Sequence, residues 1–222
     1  GRMAVITISR QYGSKGDEIG RRICDILGYR YFDKRLMADV ASELGLSPEQ
    51  LVDFSDEHYK VRGFLDRLLD RSRKMRQIDT WDEETTNEER RWTHELNEEE
   101  SVELVRQTVC AAYKQGNVVI MGRGGQSILQ NMPGVLHLRV EATLGSRVMW
   151  VKSQKNITVA EAEAMTRDRD KAASAYLKRF YDIDWSNPML YHVVINTSKW
   201  DIDATAQIIV SAVSNLRRVQ TV

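Results

Sequence analysis

Between Val5 and Arg22 the chain reads Val-Ile-Thr-Ile-Ser-Arg-Gln-Tyr-Gly-Ser-Lys-Gly-Asp-Glu-Ile-Gly-Arg-Arg, a β-branched run that passes through two glycines straight into an amphipathic helical pattern. A strand, a glycine turn and a helix in direct succession point to the α/β class. Glycines let backbone N–H groups curl toward one point, and the unpaired N–H groups opening a helix add their dipole there, so such a turn suits an anion such as a nucleotide phosphate. An ordinary strand-to-helix turn that needs positive φ at Gly13 and Gly16 accounts for the same residues. The turn also departs from G-x-x-x-x-G-K-[ST], in which a lysine reaches the β- and γ-phosphates and a hydroxyl faces magnesium. Arg10 stands at the first glycine, Lys15 precedes Gly16 instead of following it, and Asp17 and Glu18 come next.

Length and charge bear on that choice. The 222 residues suit one α/β domain with a full core. Its 32 basic and 32 acidic side chains cancel, so no global field draws the chain to nucleic acid or an anionic membrane, and any anion site must be local. Cys24 and Cys110 sit in helical patterns without metal-ligand spacing and read as small core residues of a reduced, intracellular protein. No apolar run approaches the ~20 residues of a membrane span and no signal-peptide core is visible, so the expected address is the cytoplasm.

Five short apolar runs predict strands: Ala4–Ser9, Tyr29–Phe32, Val118–Met121, Val135–Val140 and Val193–Ile195. Each is continuous, as in strands buried on both faces, and helical patterns separate them, which predicts a parallel sheet with helices on both sides. Ligands of such sheets bind beyond the carboxyl ends of the strands. The residues there are Arg10–Gly16, Asp33–Arg35, Gly122–Gly125, Glu141–Thr143 and Asn196–Thr197.

About seventy residues before Val118 break the alternation with a helical pattern. From Lys60 to Arg76 there are seven basic and two acidic residues, and from Asp82 to Glu103 ten acidic and two basic, so the two stretches are expected to face each other or the solvent. A substrate flap carrying Arg62, Arg67 or Arg71 is the functional alternative. His58, His94, His137 and His192 lack metal-ligand spacing, and Trp81 and Trp92 read as anchors of the inserted helices.

Three further constellations carry chemistry. Gly122-Arg123-Gly124-Gly125 follows a buried strand, so backbone can approach a ligand closely while Arg123 forks onto a phosphate. Asp33 follows the second strand, placed to take a hydroxyl proton, hold metal-bound water or grip a ribose, and equally placed to cap the helix from Lys34. Arg167-Asp-Arg169-Asp170-Lys171, followed by Tyr176, Lys178 and Arg179, gathers cations that serve as a solvated face or as a lid over a transferring phosphoryl group.

Four stretches together, Ile6-Thr-Ile-Ser-Arg-Gln-Tyr-Gly-Ser, Tyr31-Phe-Asp-Lys, Val119-Ile-Met-Gly-Arg-Gly-Gly and Asn187-Pro-Met-Leu-Tyr-His-Val-Val-Ile-Asn-Thr197, resemble the cytidylate kinase-like branch of the P-loop nucleoside monophosphate kinases. The resemblance implies a three-layer P-loop kinase fold over residues 1–222, with a five-stranded parallel sheet ordered 2-3-1-4-5. It implies a helical monophosphate-binding insertion at about 46–104 and a lid at about 152–182. ATP and Mg²⁺ would be the cofactors, and a pyrimidine monophosphate, CMP or dCMP, the acceptor. Carried over by position, Gly13, Ser14, Lys15 and Gly16 would cradle the donor phosphates, with Arg10 and Asp17 beside them. Glu18 falls at the magnesium hydroxyl, with Asp33 as second metal and acceptor-side candidate. Arg123 would grip the acceptor phosphate, with Arg147, early in the helix after strand four, and Arg167 and Arg169, before the lid helix, as further candidates, and Asn196 and Thr197 would lie beside the donor base.

This chain departs from that pattern in its loop lysine, one place early, in Ala173 where relatives often show arginine three places after an aspartate, and in lacking an acidic residue at the end of the third strand. A kinase of the same architecture acting on another small molecule, and a nucleotide-binding regulatory module without turnover, stay open beside the cytidylate kinase expectation.

Overall fold

The computed structural model describes residues 4–32 and 98–219. Its strands are Val5–Arg10 (β1), Arg30–Phe32 (β2), Val118–Met121 (β3), Val135–Glu141 (β4) and Val193–Asn196 (β5). All pair in parallel, in the order β2-β3-β1-β4-β5, the order that the family resemblance implies. The strand bounds move slightly from expectation because the ladder decides them. Pairing of Arg10 with Val140 carries β1 one residue further, and pairing of Glu141 with Asn196 lengthens both β4 and β5. Burial on both faces holds for β1, β3 and most of β4 but not for the edge strands, where Arg30 and Val194 are exposed.

The described helices are Gly16–Leu27 (α1), Glu98–Gln115 (α2), Gly125–Ile128 (α3), Leu144–Lys155 (α4), Val159–Tyr181 (α5) and Ile202–Val219 (α6). Ile19 and Ile23, one turn apart on α1, meet Ala206, Ile209 and Val213 of α6 over Ile6, Ile8, Leu138 and Val140. The opposite face packs Val105, Val109 and Ala112 of α2 on Val5, Val118, Ile120 and Val135. This second face turns polar toward the carboxyl ends of the strands. Val5 and Val135 lie at one end, Thr7 and His137 hydrogen-bond at 2.6 Å midway, and Arg139 Nη1 donates to Ser9 Oγ at 2.8 Å near the other.

Helix α5 starts at a capping box in which Thr158 Oγ1 accepts the Glu161 N–H and Glu161 Oε2 accepts the Thr158 N–H. Its first turns pack Ala162 and Met165 on Val148 and Val151 of α4, and its last turns bring Tyr176 and Leu177 to Val102 of α2. Cys24 is buried, and burial pushes its thiol up to about 12. Cys110 is only half-buried, a correction to its expected core position: it lies on α2 between the buried Val109 and Ala112, toward the solvent side of that helix. Among the described residues no helix is long and apolar enough to cross a membrane. Asp33, Lys34 and Arg35, the charged stretches at 60–76 and 82–97, His58, His94, Trp81 and Trp92 lie outside the described residues.

Candidate functional site

The turn after β1 delivers Gly13 at φ 77° and Lys15 at φ 66°, the latter as N-cap of α1 with no side-chain cap. A Cβ on Gly13 would stand 2.8 Å from Val151 Cγ2 and 2.9 Å from the Arg147 carbonyl oxygen, so the loop is pressed onto α4 where only glycine fits. Ser14 turns inward: its hydroxyl donates to the Gln11 carbonyl at 2.7 Å, and its own carbonyl accepts the buried Thr197 hydroxyl at 2.7 Å. Thr197 thus braces the loop. Asn196 is exposed, and its side chain accepts the Ser198 N–H at 2.9 Å.

Loop residues 11–18 and Trp150, Val151, Gln154 and Lys155 of α4 line one hollow of about 200 Å³. Lys15 and Trp150 both line it, with Lys15 Nζ 5.0 Å from the centre of the Trp150 ring, a cation–π distance. The hollow therefore joins a positive side chain, a helix N-terminus and a flat apolar wall, a combination suited to a nucleotide's phosphates and base.

Arg10 explains the missing lysine after the loop. A Cβ on Gly16 would lie 2.6 Å from Arg10 Cβ and 2.7 Å from its Cγ, so the stem of Arg10 occupies the space that any side chain at position 16 would need. Arg10 Nη2 pairs with Asp17 Oδ1 at 3.1 Å, and Tyr31 donates its hydroxyl to the same oxygen at 3.2 Å. Burial raises the Asp17 pKa, but the Arg10 charge and these hydrogen bonds outweigh it and hold the carboxyl below its usual range. Arg10 also reaches the second glycine turn, where a Cβ on Gly122 would stand 2.8 Å from its Nη1.

That second turn follows β3 with three consecutive left-handed residues, Gly122 (φ 62°), Arg123 (φ 57°) and Gly124 (φ 70°). Arg123 Nη1 donates to the carbonyls of Phe32 at 3.1 Å and Met121 at 2.9 Å, and its guanidinium lies 5.2 Å from the Phe32 ring. The Tyr181 ring covers Gly124, with its Cε2 only 2.5 Å from where a Cβ would be.

The further candidate arginines divide. Arg169 lies over the Tyr12 ring at 5.4 Å and so meets the turn after β1. Arg167 is paired with Glu163 one turn back at 2.8 Å on an exposed face. Arg147 is buried and donates from Nη1 to the Tyr12 carbonyl at 3.0 Å and to Asp170 Oδ2 at 2.6 Å. Asp33, expected at the acceptor side, falls outside the described residues.

For a metal, no group of three His, Cys, Asp or Glu gathers among the described residues. Magnesium at a nucleotide is commonly held by one or two carboxylates, phosphate oxygens and water. Glu18, on the first turn of α1 and on the wall of the hollow, fits as such a carboxylate. Asp17 is engaged by Arg10 and Tyr31.

Trp150, Gln154 and Lys155 were absent from the expectations, although 147, 150, 151 and 154 recur at helical spacing on one face of α4. So was Arg139, 1 % exposed, whose guanidinium stacks 4.1 Å from the Trp185 ring and pairs with Glu141 at 3.1 Å. A charge inside the apolar run Val135–Val140 was its visible signal.

The model of the cytidylate kinase-like family matches residues 5–199. A cytidylate kinase of Methanocaldococcus jannaschii is 32% identical over 126 residues, covering 56% of this chain and 70% of that protein. A cytidylate kinase of Pyrococcus horikoshii is 25% identical over 213 residues, or 96% of this chain and 89% of that one. Among solved structures, an uncharacterized protein of Eubacterium ventriosum superimposes with a TM-score of 0.62 at 16% identity, covering 95% of this chain and 98% of the other, a likeness of fold.

Proposed function

The chain belongs to the cytidylate kinase-like family, and from that premise we propose that it moves the γ-phosphoryl group of ATP onto a nucleoside monophosphate, CMP or dCMP. The observation that carries this reading is the hollow at the carboxyl end of β1, where Lys15 and the N-terminus of α1 meet the Trp150 ring. Such transfer needs positioning and charge neutralisation more than covalent chemistry. In this proposal Gly13, Ser14, Lys15 and Gly16 wrap the donor phosphates, and Lys15 leaves the indole to neutralise them. Trp150 walls the base side, with Thr197 holding the loop from behind. Arg10 lies between the two turns and takes up charge that the usual loop lysine would meet. Magnesium, held from the protein by Glu18 with Asp33 as the second candidate, supplies further neutralisation of the donor oxygens when bound. Arg123 orients the acceptor phosphate, and Arg169 with Arg167 completes the lid side. The cytoplasm is the proposed location.

The lysine-free position 16 favours one other reading, a nucleotide-binding regulatory module, because Arg10 rather than lysine fills that space. Measuring ATP binding, and ADP release from ATP and Mg²⁺ against CMP, dCMP, UMP, AMP and a set of non-nucleotide hydroxyl and carboxylate acceptors, separates the readings. Release that depends on CMP or dCMP is expected. ATP binding without release for any acceptor would replace the kinase by the module, and release only with a non-nucleotide acceptor would make it a small-molecule kinase.

A further inference from the structure

Helix α5 touches both glycine turns. Near its middle, Asp170 Oδ1 accepts the N–H of Tyr12, inside the donor loop, at 2.8 Å, and Oδ2 accepts Arg147 Nη1 at 2.6 Å. The same Nη1 donates to the Tyr12 carbonyl at 3.0 Å, while Arg147 Nε donates to the Ala142 carbonyl at 3.1 Å. Both backbone polar groups of Tyr12 are therefore held by one acid–base pair, whose side chains are 7 % and 20 % exposed for Arg147 and Asp170. Arg169, the neighbour of Asp170, lies over the ring of the same tyrosine. Eleven residues further along, about 16 Å at 1.5 Å per residue, Tyr181 covers Gly124 of the second turn.

A loop N–H beside a phosphate site is a natural anion donor, and here the anion is a carboxylate of the lid helix. Tyr12 directly precedes Gly13, where the loop has no room to shift toward α4. We propose that Asp170 is a positioning residue for the donor site: it sets the shape of the phosphate loop from α5, so that docking of the lid helix and readiness for the triphosphate are one equilibrium. Linkage then makes the effect reciprocal, and a nucleotide in the loop strengthens α5 docking by the factor by which docking strengthens nucleotide binding. The aspartate without its arginine at Ala173 acquires a purpose in this arrangement, since Arg147 serves as its cation.

The inference rests on the donor-site reading, and its test keeps the two apart. Asp170→Ala and Asp170→Asn are compared with the wild type by hydrogen exchange of the segments 10–16 and 159–181, by ATP titration and by KM for each substrate. In Asp170→Ala the Tyr12 segment should exchange at least tenfold faster. ATP affinity should fall about tenfold, within the usual range of coupling between sites. The acceptor KM should stay within twofold, and ATP should no longer protect α5. Asp170→Asn keeps one of the two accepting oxygens and should fall between, and it carries the comparison if the alanine variant does not fold. A lowered melting temperature with unchanged exchange at Tyr12 and unchanged ATP affinity would reduce Asp170 to a structural contact. If the wild type binds ATP without transferring phosphate, the kinase reading fails while the link stands. If the wild type binds no ATP, unchanged exchange at Tyr12 in the alanine variant overturns the link by itself.

Discussion

The two glycine turns are built alike and end differently. Each leaves a central strand, each holds a cation in the left-handed region between glycines, and each opens into a helix: Lys15 before the twelve residues of α1, Arg123 before the four of α3. Lys15, on the wall of a hollow, keeps its ammonium against an indole, whereas Arg123 folds its guanidinium back onto the carbonyls of Phe32 and Met121. The difference comes from the neighbours. The first turn faces α4, which offers a flat wall, and the second faces two strand ends with carbonyls to satisfy. A glycine turn with a cation is thus a frame for an anion, and the surrounding elements decide whether the cation is poised for a ligand or committed to the scaffold.

The largest effect should come from filling the turn that is backed by main chain. In Gly13→Ala the new Cβ meets a backbone carbonyl and a packed valine at a positive φ, while in Gly124→Ala it meets the rim of the Tyr181 ring, which can rotate away. Left-handed strain of roughly 1–2 kcal/mol plus overpacking of about 1–3 kcal/mol puts Gly13→Ala at roughly 2–5 kcal/mol by urea denaturation, with Gly124→Ala clearly smaller. Equal losses would mean that α4 yields as readily as the tyrosine, and the contrast between the turns would disappear.

Acid should weaken the side of the sheet under the second turn. Gly125 packs on Thr7, whose hydroxyl bonds His137, and burial together with the neighbouring His192 lowers the His137 pKa to about 4. Unfolded, that histidine titrates near 6.5. Below 6.5 the unfolded chain takes up a proton that the folded chain refuses, so stability falls from pH 6.5 to about 4 and then levels, by on the order of 3 kcal/mol. Urea melts at pH 7.5 and 4.5 measure this. His137→Gln should flatten the dependence, and a slope that persists in that variant would assign it to other groups.

The first turn is broken by a smaller change. Lys15→Ala should weaken ATP binding by about 2–3 kcal/mol, the scale of a charged hydrogen bond. Its stability should shift by less than about 0.5 kcal/mol, as is usual for a partly exposed side chain outside the core. Calorimetric titration beside a denaturation curve gives both numbers. An unchanged ATP affinity would remove Lys15 from the site and leave Arg10 as the cation there.

Much of this was legible in the sequence for a physical reason. Strand runs of β-branched residues and glycines at turn positions are local signals, and they located all five strands and both turns to within a residue or so. What could not be read was contact between distant segments. That Arg10 fills the space over Gly16, that Thr197 braces Ser14, or that Asp170 reaches Tyr12 depends on the ladder register and on how α4 and α5 stack. Trp150 stands between the two cases. Its spacing on α4 was visible, but its meaning required the loop to be folded against it.

The smallest effect is also the sharpest test of the contrast. Arg123 has two candidate duties, tying the ends of β2 and β3 through one terminal nitrogen and orienting an acceptor phosphate with the rest of its fork. A lysine retains the charge and can still reach one carbonyl, but it cannot offer a planar pair of donors. Arg123→Lys is therefore expected to lower kcat/KM for the acceptor roughly tenfold, about 1.4 kcal/mol, while ATP affinity stays near wild type. Steady-state kinetics with the acceptor varied at saturating ATP measures it. An equal loss toward both substrates would show the turn itself collapsing. No loss at all would leave Arg123 wholly to the scaffold, and Lys15 would be the turn cation that serves a ligand.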